Sequence, residues 1–245
     1  MKNFTGKLFI FSAFLLIGIQ CSKDTPNPNQ EFIIGQCDNN SLSYQTYNPP
    51  IEILSDPHGY VNQEIDVNND GENDFNLISE HPISPGGINS KRALIEPLHS
   101  QIEIAIIEKP DTLHKCTVIY GDTIFVYTYY NSDTLYQCPE ADSINIINKN
   151  WPQIFQYGDE LNTNIVWSND VLEFASNDET SYSWFENGII YNTSYKIKHC
   201  FWNNIGEKFI VFMFRKNEKY YYGWMKLSIF DYKGIKIHEI AYQKY

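Results

Sequence analysis

Apolar residues recur along the chain in short runs bounded by Asn, Asp, Gly and Pro. The runs are Ile51–Leu54, Tyr60–Val67, Phe75–Ile78, Gln101–Ile107, Thr117–Tyr120, Thr123–Tyr130, Ile144–Ile147, Ile165–Trp167, Val171–Ala175, Ile189–Tyr195, Lys208–Arg215, Tyr220–Phe230 and Ile235–Tyr242. Several alternate. Ile102, Ile104 and Ile106 fall on one side and Glu103 on the other. Ile235, Ile237 and, less regularly, Ile240 repeat the pattern. A period of two marks a half-buried strand. Beyond the amino terminus no segment holds a 3.6-residue apolar period over three turns. The pattern predicts an all-β domain, a jelly-roll-like β-sandwich of about a dozen short antiparallel strands. An Asp-Thr-Leu/Ile echo at Asp111, Asp122 and Asp133 fits successive strands joined by turns. Pro82 to Gly87 and Pro139 to Asp142 predict longer loops.

The amino terminus breaks this pattern. Lys2 and Lys7 flank a 12-residue apolar run, Leu8 to Ile19. That is too short to span a bilayer, which takes about 20 apolar residues, and it has the form of a secretory signal. Cys21 follows the run, and Ser22 to Gln30 is polar with two prolines. The arrangement resembles a bacterial lipoprotein signal, whose cysteine becomes the acylated first residue. Cys-Ser-Lys-Asp resembles lipoproteins of the Bacteroidetes. Gln20 departs from the small residue usual before that cysteine. The expected organisation is a signal peptide at 1–20, a flexible tether at 21–30 and one all-β domain at 31–245. The lipid would hold the mature chain at the outer membrane, with the membrane as a partner.

Composition supports this reading. Of 245 residues 42% are hydrophobic and 16% aromatic, including 18 Tyr, which excludes disorder for most of the chain. Ile is abundant, and two Arg stand against 16 Lys. A formal net charge of −12 argues against nucleic acid as a partner, because phosphate binding needs a basic face. Cys37, Cys116, Cys138 and Cys200 remain after the signal. An even count in an exported chain makes them disulfide candidates, with three pairings open. Were the region a simple meander, Cys116 and Cys138 would flank Tyr127 from opposite sides. They would then lie about 9.5 Å apart, too far to bridge.

One stretch carries chemistry. Asp66-Val-Asn68-Asn-Asp70-Gly71-Glu72-Asn-Asp74 reads D-x-N-x-D-G-x-x-D. Side chains at positions one, three and five of a tight loop converge on one point. Glycine at six allows the backbone to reverse, position seven offers a carbonyl and position nine completes the set. Three close carboxylates repel, and a divalent cation removes that cost. Asp66, Asn68, Asp70, Glu72 through its main chain, and Asp74 are therefore candidate calcium ligands. Position twelve is Leu77 rather than the bidentate Glu of a helix–loop–helix site. The strand-like flanks resemble the calcium hairpins of integrin-type propeller blades instead. An Asp/Asn-rich turn without metal is the plainer alternative.

Other features are weaker. His58, His81, His99, His114, His199 and His238 are scattered without a partner at catalytic spacing. No nucleophile elbow, zinc helix or phosphate-cradling loop appears. Asp178, Glu179 and Glu186 read as a solvated face sooner than a glycosidase pair. Tyr220-Tyr-Tyr-Gly-Trp224 reads as core sooner than a sugar platform.

The loop, the Tyr222-Gly-Trp224 strand and the Ile237 to Tyr242 ending come in an order similar to a loose group of exported bacterial β proteins. The resemblance covers both ends of the domain and implies a β-sandwich at the cell surface, with no enzymatic activity. The expectation is a lipid-anchored, calcium-stabilised, non-catalytic binding or structural module with a glycan or protein ligand. The alternative is a glycan-binding or carbohydrate-active lipoprotein of a nutrient-uptake system.

Overall fold

The computed structural model describes residues 32–37, 41–85, 87–120, 123–130, 143–187 and 189–244. The expected signal at 1–20, Cys21, the expected tether, Cys138 and the loop expected at Pro139 to Asp142 lie outside the described residues. Among those described there is no helix, and fourteen strands form one hydrogen-bonded sheet. They are β1 (Leu42–Ile53), β2 (Gly59–Ile65), β3 (Phe75–His81), β4 (Ile83–Ser84), β5 (Ile88–Pro97), β6 (Ile102–Tyr120) and β7 (Thr123–Tyr130). Then follow β8 (Ser143–Pro152), β9 (Val166–Ser168), β10 (Leu172–Glu186), β11 (Ile189–His199), β12 (Lys208–Lys216), β13 (Lys219–Phe230) and β14 (Gly234–Gln243). The main path runs β1-β14-β13-β12-β6-β7-β11-β10-β5-β3-β2, with β4, β8 and β9 attached at its side.

The sheet folds over so that its two ends face each other, the layering of a β-sandwich that does not close into a barrel. Phe75 of β3 meets Phe212 of β12 edge-on at 5.1 Å between ring centres. Around that contact lies the main core, which includes Leu77, Ile95, Ile104, Phe174, Trp202, Met225, Leu227 and Ile237. A second cluster lies on the other side of the same strands. Ile34, Ala105, Phe155, Phe209, Val211, Trp224 and Ala241 pack together there. The backbone covers this outer face through bridges Ile33↔Glu160 and Phe155↔Phe209. Strand β12 is therefore buried on both faces from Phe209 to Phe214, which is why its sequence is continuously apolar rather than alternating.

Several expectations change. β6 runs unbroken for 19 residues, joining two runs that the sequence separates. β5 is not among the predicted runs, and the short strand β4 falls within Pro82 to Gly87, where the sequence predicts a loop. Ile83 and Ser84 pair back onto Asn89 and Ile88 in a tight hairpin. One pairing is parallel, β7 with β11. Cys116 is opposite Tyr127, as in a simple meander, but the strand beyond β7 is β11. Neither Cys37 nor Cys200 is in a disulfide. Cys37 Sγ lies 3.7 Å from the Gly35 carbonyl, and Cys200 Sγ lies 3.6 Å from the Tyr232 hydroxyl.

Candidate functional site

The Asp66–Asp74 segment joins β2 to β3 as an irregular hairpin. Two residues take left-handed backbone, Asn69 at φ 58° and Gly71 at φ 93°. Gly71 supplies the reversal at no steric cost because it has no Cβ, and a side chain there would be strained by φ although nothing lies within 4 Å. The side chains turn inward and satisfy the loop's own amides. Asp66 accepts from Gly71 N at 2.9 Å and from Asp70 N at 3.3 Å. Asn68 Oδ1 accepts from Asp70 N at 2.9 Å, and Asp70 Oδ1 from Glu72 N at 3.1 Å. Glu72 contributes only backbone to this set.

Asp74 differs from the rest. It is 3% exposed, whereas Asp70 and Glu72 face solvent. Its Oδ2 accepts from Val67 N at 2.7 Å, and its Oδ1 receives only the Asn68 amide at 3.4 Å. Burial outweighs the backbone donors and pushes its pKa up to about 6, and Asp66 and Asp70 add to the rise. The loop is fixed from outside by Tyr242, which donates to the Asn68 carbonyl at 2.9 Å, and by Leu98 N on the Asp74 carbonyl at 2.9 Å. Thus the ending of the chain braces the loop, two features that the sequence places far apart.

Beside the loop is an open cleft of about 410 Å³. Asp70, Glu72 and Asp74 line it from the loop, His99 from the turn between β5 and β6, and Arg215 and Lys216 from the end of β12. Among the described residues, no group of three or more His, Cys, Asp or Glu stands ready to hold a metal ion. The Asp66, Asp70 and Asp74 side chains are spent on backbone donors, each with lone pairs to spare.

The other singled-out residues are placed as follows. Asp178 is engaged by Arg92 through Nε and Nη2, both at 3.1 Å, and by Ser90 Oγ. Glu186 ends β10, far along the strand. Trp224 is fully buried, but Tyr220 is 51% exposed. Exposed aromatics cluster on the β10–β11 hairpin, where Trp184 stacks on Tyr191 at 4.9 Å and 9° and Phe185 is 71% exposed. His238, which looks isolated in the sequence, has neighbours in the fold. It lies 2.9 Å from Ser228 Oγ and 3.6 Å from Glu207. Only the fold reveals this grouping, because Glu207 comes from another strand's approach.

No protein-family model matches the chain, and neither a curated protein nor a solved structure matches it.

Proposed function

We propose that the chain is a cell-envelope lipoprotein, anchored to the outer membrane through lipid on Cys21. Its β-sandwich, stabilised by calcium at the Asp66–Asp74 loop, acts as a binding or structural module. The observation that supports the metal is Asp74. A carboxylate this buried, with one oxygen poorly satisfied, is costly to ionise, and two further carboxylates face the same loop. The donor set fits a hard cation. Asp66, Asn68, Asp70 and Asp74 with the Glu72 carbonyl would hold it through oxygen alone. Bound there, the ion would supply charge compensation, tying β2 to β3. The full burial of Trp224 within the Tyr-Gly-Trp strand favours a structural use of those aromatics. The exposed Trp184, stacked on Tyr191, is what favours the second reading, a glycan-binding surface.

Extracellular calcium sites often bind at about 0.1–1 mM, so millimolar calcium is expected to stabilise the fold by about 1 kcal/mol. That is a melting shift of a few degrees at this size. Magnesium is expected to do less, because it keeps its waters. Asp70→Ala should abolish the shift while the domain still folds. Equal melting in calcium and in chelator, with elemental analysis finding no metal, would reduce the loop to a turn. For the anchor, mass spectrometry of native protein should find acylated Cys21, and Cys21→Ser should release the domain from membranes. An unmodified terminus overturns that part. A glycan array probed with and without calcium separates the two binding readings.

A further inference from the structure

The outer face of the β13–β14 hairpin carries a second constellation, remote in kind from the acidic loop. The pairing of these strands slips between Lys226 and Leu227. Lys226 is opposite Glu239 and Leu227 opposite Ile237, which leaves His238 as the extra residue of a β-bulge. A bulge re-aims side chains. Here Lys236, His238 and Glu239 all turn outward, while Ile237 and Ile240 stay in the core. His238 is thereby brought to Ser228, with Oγ and Nε2 2.9 Å apart. Its other nitrogen, Nδ1, lies 3.6 Å from Glu207 Oε1. The second oxygen of Glu207 is held by Lys226 Nζ at 2.7 Å, and Lys226 also reaches Glu239 at 3.3 Å. This lysine hydrogen bond keeps the Glu207 carboxyl below its ordinary pKa, hence anionic. An anion beside Nδ1 favours the tautomer with its proton there. Nε2 is then the acceptor for the Ser228 hydroxyl. Lys236 is directly opposite Ser228 in the register, placing an ammonium-bearing side chain on the same face.

A nucleophile within hydrogen-bond reach of a base, itself oriented by a third group, is the geometric signature of covalent catalysis. We propose that Ser228, His238 and Glu207 form a nucleophile, a base and a positioning carboxylate that cleave short carboxylic esters presented at this face. Ser228 Oγ bonds to the acyl carbon as its proton passes to His238 Nε2. The ester C–O bond breaks, and the proton on Nε2 goes to the departing alkoxide. Water then attacks the acyl-serine, giving a proton to Nε2. The carboxylic acid leaves, and that proton returns to Ser228 Oγ. Lys236 keeps a positive charge on this face, its ammonium paired with Glu52 at 3.1 Å. Ser228 and His238 are only partly exposed, which suits short acyl groups better than long ones.

The whole chain, in chelator, is treated with a fluorophosphonate probe, and the adduct is mapped by mass spectrometry. Hydrolysis of p-nitrophenyl acetate is followed in parallel. The expected result is one adduct, on Ser228, absent from Ser228→Ala. His238→Gln should slow labelling by on the order of 100-fold. Glu207→Gln should slow it about fivefold, the worth of one ion pair at a surface. Glu207→Asp should recover part of that loss, whereas a merely structural role would leave the labelling rate of the folded variant unmoved. Thermal melting verifies that each variant folds, and His238→Gln tests the base with the nucleophile in place. No adduct above that of heat-denatured protein, an adduct on another residue, or labelling unchanged in His238→Gln overturns the proposal.

Discussion

Asp74 is the residue at which the energetics of the loop concentrate. Its ordinary pKa is 3.8 and burial raises it to about 6 in the fold. A raised folded-state value means the protonated form is the one that folding favours. The contribution is therefore fully present below pH about 4 and is lost as pH rises through about 6. A rise of that size is worth on the order of 3 kcal/mol. In chelator, stability should fall across that window, and Asp74→Asn should flatten the fall. Calcium should stabilise more at pH 7.5 than at pH 5, because only the carboxylate binds it. Urea melts at four pH values check this, and a calcium effect equal at both ends contradicts it. Two tryptophans make a second contrast. Both are fully buried, but Trp202 Nε1 donates to the Pro152 carbonyl at 2.8 Å, while Trp224 Nε1 is buried without a partner. Trp202→Phe removes a made hydrogen bond and strands a carbonyl, whereas Trp224→Phe removes an unmet donor. The first should cost at least about 1 kcal/mol more than the second in chemical denaturation. Equal costs would mean that lost volume alone decides.

Within strand β13, Gly223 explains why a small residue belongs between Tyr222 and Trp224. A Cβ there would run into the Phe212 ring and lie 2.7 Å from the Ala241 carbonyl. Phe212 is itself edge-on to Phe75 and Phe214, so its ring has little freedom to move. Gly223→Ala should destabilise by roughly 1–3 kcal/mol through overpacking, visible as a lower denaturation midpoint with unchanged slope. A neutral result would show that Phe212 can turn aside. The same strands show what the sequence makes legible. Burial alternates in Leu227, Ser228 and Ile229, and Ile235, Ile237 and Ile240 mark the inner face. The slip from Ile237 to Ile240 is the trace of the bulge at His238, though sequence alone could not say that it brings Ser228 and a histidine together. β5 is not legible. Lys91 and Arg92 sit mid-strand, and their partners, Asp231 at 2.6 Å and Asp178, are supplied by distant segments. The polar half of β10 is hidden in the same way. Ser176 to Thr180 pairs with β5 on one side and β11 on the other, so ladder bonds rather than apolar content make it a strand. The Asp66–Asp74 loop is readable because its chemistry is local, whereas its bracing by Tyr242 and Leu98 is not.

Across the whole molecule, a polar clasp adds to the apolar core in fastening one end of the folded sheet to the other. Lys233, in the β13–β14 turn, is 6% exposed. Its Nζ donates to the Ser55 carbonyl at 2.5 Å and to His81 Nδ1 at 2.9 Å. Ser55 follows β1, and His81 ends β3, so the lysine clasps the two layers. Ser79 Oγ reinforces the clasp by donating to Ser55 Oγ at 3.0 Å and accepting from Ser55 N at 2.8 Å. The ammonium can use Nδ1 only while that nitrogen is bare. His81 is then neutral, with its proton on Nε2 facing Asn89 Oδ1 at 3.2 Å. Burial lowers the His81 pKa, and the nearby Lys233 and Lys91 lower it further, against the Asn89 hydrogen bond and the pull of Asp231. A depressed folded-state value contributes stability that is present above the ordinary 6.5 and is lost as pH falls through the lower value. The sign is opposite to that of Asp74. In chelator the two slopes oppose each other where the His81 titration, below its ordinary 6.5, overlaps the Asp74 loss that runs up to about 6. In saturating calcium Asp74 is held ionised and that opposition should weaken, leaving a steeper decline toward acid. His81→Gln keeps an acceptor for Lys233 but cannot take a proton, so it should flatten the acid limb in calcium. Melting temperature from about pH 4.5 to 7.5 in both metal conditions, for both proteins, tests this. An acid limb unchanged by His81→Gln would show that the clasp holds with His81 charged, and that some other group sets the acid sensitivity of the fold.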